Sequence, residues 1–185
     1  KIGGNPEYAK TLLAAAKTSC PDAYARATDP TKGIAYDLPN TATQQKASVL
    51  IKTAMDAVGI AMKFNFIPSG QYFSTVQNAD KQGDISRAGW GADWANASTV
   101  IYPLFVKEGG FDLSQNWNDA AYPAYKADVQ AALNMTDRAQ QAAAWKVLAQ
   151  QAMDQYWLIG TIFGKGPIGW GSKVGGGYFW EHQGT

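Results

Sequence analysis

At 185 residues, with 46% hydrophobic and 17% charged residues, the chain has the size and composition of a globular protein with its own core. Sixteen basic and fifteen acidic residues leave a formal charge of +1 and no clustered Lys/Arg patch, which argues against nucleic acid as a partner. One cysteine (Cys20) and one histidine (His182) exclude an intramolecular disulfide and a Cys-based zinc site and remove most routes to a Ser-His-Asp triad, and no apolar run approaches the roughly 20 residues that span a bilayer.

The chain begins Lys1-Ile2-Gly3-Gly4, neither a signal peptide nor a natural start, so a fragment of a longer protein is expected. Asn5-Pro6-Glu7 reads as a helix start, with Asn as N-cap, Pro at the first helical position and Glu near the positive end of the dipole. Tyr8, Leu12, Leu13 and Ala16 then share one face of a helix to about Lys17. Residues 18–33, with Cys-Pro, Asp-Pro and Lys-Gly steps, read as loop. Ile34 to Leu38 is a short strand. Ala47, Leu50, Ile51, Ala54, Met55 and Val58 have helical spacing, and Gly59 closes that helix.

Ile60 to Ile67 alternates apolar Ile60, Met62, Phe64 and Phe66 with Ala61, Lys63 and Asn65, as a strand with one apolar face does. Ser69 caps a helix through about Asn78, and Lys81-Gln82-Gly83 turns the chain into a third strand, Asp84 to Ala88. The resulting strand–helix alternation predicts an α/β sheet, in which ligands gather beyond the carboxyl ends of the strands. Gly89-Trp90-Gly91-Ala92-Asp93-Trp94 lies at such an end. Two indoles flank one carboxylate there, with small residues between, an arrangement suited to a ligand with a cationic end and variable bulk.

Further on, Ser98 caps a short helix over Thr99 to Phe105, and Asp119 to Leu133 is helical. Thr136 caps a helix from Asp137 to Tyr156 with Ala142, Trp145, Leu148, Ala149, Ala152 and Tyr156 on one face. Trp157 to Phe163 reads as a final strand, and residues 164–185 are rich in Gly. Asn96-Ala97-Ser98 matches the N-glycosylation tripeptide, a common match. No P-loop, Rossmann fingerprint, metal-ligand cluster or carboxylate pair stands out, so neither a cofactor nor a metal is expected.

The run Gly83-Asp84-Ile85-Ser86-Arg87-Ala88-Gly89-Trp90-Gly91-Ala92-Asp93-Trp94 resembles the signature of the family 5 extracellular solute-binding proteins, the dipeptide- and oligopeptide-binding components of bacterial ABC importers. Asn5 to Leu13 is similar to the helix opening that family's C-terminal lobe. The helix at 43–58 with its following strand, and Asp137-Arg138 with the helix ending at Tyr156-Trp157-Leu158-Ile159, also match. The resemblance covers about residues 5–170. The Pro that relatives carry shortly after the Asp-aromatic pair is absent, the chain reading Ala95-Asn96-Ala97-Ser98.

The resemblance implies one α/β lobe, residues 1–185, of a periplasmic-binding-protein-like (type II) two-lobed fold, with a mixed sheet flanked by helices. Residues 164–185 would lead back to an N-terminal lobe outside this sequence. It implies a non-enzymatic substrate-binding component that captures a peptide or similar solute between two lobes and delivers it to a membrane permease. Asp93 would hold the ligand's α-ammonium, Trp90 and Gly91 would supply a wall and a backbone contact, Arg87 would meet the carboxylate of a short peptide, and Trp94 would complete the wall. One lobe alone would bind weakly or not at all. The location implied is extracellular or cell-envelope, as a lipoprotein whose signal segment lies outside this sequence. The alternatives are sugar stacking on Trp90, Trp94 and Trp117, a carboxylate-dependent hydrolase, and a structural lobe with the Trp90–Asp93 region covered.

Overall fold

The side chain of Asn5 accepts a hydrogen bond from the Tyr8 amide at 3.1 Å, and Pro6 needs no amide partner in the first turn, so α1 (Pro6–Ser19) starts where its cap predicts. In the computed structural model, residues 4–161 are described, together with 172, 173 and 175. The chain divides into two compact units, Lys1–Ala88 and Gly89–Thr185. All five described tryptophans belong to the second.

In the first unit, Ala9, Leu13 and Ala16 are the half-buried residues of α1, whereas Tyr8 and Leu12 stay exposed, so the contact face is rotated from the expected one. The stretch expected as loop contains a second helix, α2 (Pro21–Thr28). Pro21 occupies its first turn, where a missing N–H costs nothing, and Asp22 and Arg26 complement the dipole. A Cys-Pro step therefore begins a helix here rather than breaking one.

Three parallel strands follow: β1 (Ile34–Pro39), β2 (Met62–Ile67) and β3 (Ile85–Ser86), in the order β2-β1-β3. Tyr36 lies opposite Phe64 on one side and Ile85 on the other. Parallel neighbours need long crossovers, supplied by α3 (Ala42–Asp56) between β1 and β2 and by α4 (Tyr72–Val76) between β2 and β3. Thr41 caps α3 by accepting from the Gln44 amide, and Gly59, at φ 89°, turns the chain out of it in a conformation that suits a residue without a Cβ. Ala47, Ser48, Ile51 and Met55 face inward, but Leu50, expected on that face, is 73% exposed. Ser69 does not cap. It lies in a single 3₁₀ turn, Ser69–Gln71, with no side-chain cap bond.

Buried Asp37 on β1 organises the carboxyl side of this sheet. Its Oδ1 accepts from Asn65 Nδ2 at 2.8 Å and its Oδ2 from the Gly83 amide. A Cβ on Gly83 would come within 2.9 Å of Asp37 Oδ1 and 3.0 Å of the Ala35 carbonyl, so this close approach requires glycine. Asp84 accepts from the Ala35 amide and pairs with Arg26, joining β3 to β1 and α2.

The second unit is helical: α5 (Ser98–Phe105), α6 (Tyr122–Leu133) and α7 (Arg138–Asp154). Its core gathers Ile101, Phe105, Tyr125, Val129, Trp145 and Leu148. The cap of α7 is Asp137, accepting from the Gln140 amide, rather than Thr136. Trp145, Leu148 and Ala152 are buried as their spacing predicts. Tyr156 is not: the helix ends at Asp154, and Tyr156 lies at φ 58° with 81% of its surface exposed. Residues 157–161 form no strand. Trp157 instead packs edge-on to Tyr125, ring centroids 5.0 Å apart, and donates to Asp119 Oδ2 at 3.3 Å. The rest of the expected final strand, His182 and all but Ser172, Lys173 and Gly175 of the Gly-rich segment 164–185 lie outside the described residues.

Candidate functional site

The carboxyl ends of β1 and β3 present Arg87. Its amide donates to the Asp37 carbonyl at 3.2 Å and its carbonyl accepts from the Tyr72 hydroxyl at 2.7 Å, a hydroxyl that also donates to the Asp37 carbonyl at 3.1 Å. Burial pushes the Tyr72 hydroxyl well above its ordinary pKa, so it remains a donor at physiological pH. The backbone of Arg87 is thus held from both sides while its side chain is exposed, and no carboxylate among the described residues pairs with its guanidinium. Its charge is felt by Tyr36, whose hydroxyl is pushed up by burial and drawn back by Arg87.

Trp90, Gly91, Asp93 and Trp94 belong to the second unit, where Thr99 braces their loop. The Trp90 indole N–H donates to the Thr99 carbonyl at 2.7 Å, and the Thr99 hydroxyl accepts from the Asp93 amide at 3.1 Å. Trp90 packs on Phe111 with centroids 5.0 Å apart and remains 39% exposed. A Cβ on Gly91 would meet nothing within 4 Å, so its backbone stands open. The Asp93 side chain is exposed, and no hydrogen bond or ion pair engages its carboxylate among the described residues. Trp94 is 56% exposed and walls an open cavity of about 820 Å³.

The second unit therefore brings Trp90, Gly91, Asp93 and Trp94 onto one braced loop, and Arg87 ends the sheet of the first. Thr99, Phe111 and Asp37 are the supporting residues that sequence reasoning missed. Nothing in their spacing marks them, because each acts across a turn or between strands. Asn96 of the glycosylation tripeptide is also committed: its Nδ2 donates to Gln141 Oε1 at 2.8 Å and its Oδ1 accepts from the Ser98 amide at 2.9 Å. Trp117 carries the Lys107 ammonium 5.1 Å from its ring centroid, so that cation occupies one face of the ring.

No family model and no curated protein matches this sequence. Solved structures do share the fold. One is the unliganded open form of the periplasmic murein tripeptide binding protein MppA, with a TM-score of 0.59 at 18% identity over 80% of this chain and 27% of that one. Another is NikA from Brucella suis in complex with Fe(III)-EDTA, with a TM-score of 0.54 at 11% identity over 66% of this chain and 24% of that one. The chain thus spans about a quarter of the length of either structure and has the α/β fold of part of a periplasmic-binding-protein-like molecule.

Proposed function

We propose that this chain is part of a solute-binding protein and that Asp93 receives the ammonium group of a peptide or similar small solute. The observation that carries the reading is the Asp93 carboxylate, uncommitted on a loop whose backbone Thr99 holds, beside two part-exposed indoles. A carboxylate free of internal partners on a fixed backbone is pre-organised for an external cation, and the indoles offer flat apolar surface to side chains of varied size. The fold shared with a tripeptide-binding protein supports the same class of ligand.

As it stands, Asp93 is open to water, where an ion pair is worth only about 0–1 kcal/mol. Enclosure by a second lobe raises its value. Removing one partner from a buried pair costs roughly 3–5 kcal/mol. In this reading the chain works within a longer two-lobed protein at the cell envelope, binds without catalysis, and passes its solute to a membrane permease. The test is calorimetry on that longer protein. Asp93→Asn weakens a free dipeptide by a hundredfold or more, and leaves the N-acetylated dipeptide as it was. Equal affinity of mutant and wild type for the free dipeptide overturns the role.

A sugar ligand is the second reading, favoured by the exposure of Trp94. It predicts saturable glycan binding that Trp94→Ala abolishes and Asp93→Asn leaves intact.

A further inference from the structure

Arg138, Gln141, Ala142, Trp145, Lys146 and Ala149 recur along α7 at positions i, i+3, i+4, i+7, i+8 and i+11, the spacing of one helix face. That face lines the cavity of about 820 Å³, together with Leu133 at the end of α6 and the segment from Trp94 to Ser98. Its volume falls within the roughly 300–1,000 Å³ of small-molecule sites. The alanines keep the groove open, and Trp94 gives it a flat apolar wall.

The charge of the lining has one sign. Arg138 and Lys146 are its only ionisable residues, and neither joins any of the ion pairs among the described residues. Arg138 spends one N–H on Gln141 Oε1 at 3.1 Å and keeps the remaining donors of its fork. Trp145 packs beneath the groove. It is only 4% exposed, and its indole N–H has no acceptor. A buried indole N–H ordinarily has one. The amides of Asn96 and Gln141 are engaged with each other and with the Ala132 carbonyl. What the groove offers a guest is a guanidinium, an ammonium and apolar walls.

The geometry points to a site for a small organic carboxylate with a flat apolar body, one that shares the Trp94 wall with the Asp93 loop but does not use the Asp93 carboxylate. Arg138 takes the carboxylate through its fork. Lys146, about 12 Å further along the helix axis, adds to the positive field. The ring lies between Trp94 and the alanines of α7. An ammonium ligand is disfavoured here by both cations, so the two sites of the second unit select opposite charges.

The test titrates the 185-residue protein with phenylacetate and with its uncharged amide, phenylacetamide, by calorimetry and by NMR of the Trp145 indole N–H. The acid binds at least tenfold more tightly than the amide and shifts that resonance in a saturable way. Arg138→Gln removes the preference for the acid. Ala142→Leu, at an exposed position that tolerates the larger side chain, fills the groove and abolishes binding of both, with circular dichroism confirming the fold. Asp93→Asn changes neither titration, which separates this site from the proposed solute site. Equal affinity for acid and amide, binding that survives Ala142→Leu, or an indole resonance that does not move overturns the proposal.

Discussion

Asp112 is almost fully buried, and its two carboxylate oxygens fare differently. Oδ1 accepts from the Ser114 amide, the Ser114 hydroxyl and the Gln115 amide, whereas Oδ2 has no donor. Burial pushes its pKa up, and the bonds to Ser114 and Gln115 only partly draw it back. Between the ordinary aspartate value and the raised one, the folded state holds more protons than the unfolded state, so stability falls as pH rises through that window. Asp112→Asn keeps an oxygen for the three donors and removes the charge that burial penalises. With no buried charge left to desolvate, the variant gains about 1 kcal/mol at pH 7. Thermal unfolding should show the gain at pH 7 and its decline as pH falls through the raised pKa of Asp112 and the wild-type carboxyl takes up its proton. A variant less stable than wild type at pH 7 contradicts this account. Two indoles and small residues single out Asp93 as a candidate in the sequence. Asp112, Thr99 and Asp37 were not, because burial and cross-turn bonds decide what those side chains do.

Of the caps, only Asn5 is read from the sequence: Thr41 is not singled out there, Thr136 is expected where Asp137 caps, and Ser69 and Ser98 make no side-chain cap bond. Asn5, Thr41 and Asp137 each accept from the amide three residues on, a bond that a Ser/Thr/Asp/Asn followed by a helical run announces. Asp137→Ala should therefore destabilise α7 by about 1 kcal/mol, read as a lower urea midpoint with an unchanged slope. Where reading failed, the competing physics is identifiable. Pro21 looked like a breaker but sits where helices accept proline. Leu50 obeyed the helical period yet points to solvent, because the packed face of α3 is the one centred on Ser48. Tyr156 fitted the α7 stripe, but a left-handed backbone at that residue follows the end of the helix and sends the chain elsewhere. Periodicity identifies a helix more securely than it identifies the neighbour that covers it.

At the scale of the molecule, the strand–helix alternation of residues 34–90 announced a sheet with at least partly parallel strands, and both pairings in β2-β1-β3 are parallel. The division at Ala88 was not legible, since it falls inside the run from Gly83 to Trp94 that reads as one motif. The same division has a spectroscopic consequence. With every described tryptophan at position 90 or beyond and none in residues 1–88, emission excited at 295 nm reports no indole of the first unit, while amide circular dichroism registers α1 to α4 as well. Each unit has its own buried residues, and the expected denaturation curves from the two probes are displaced from one another. Superimposable curves would mean that the two units unfold as one. The indoles thus make the protein a built-in reporter, in which one half can be watched unfolding without a label while the other stays dark.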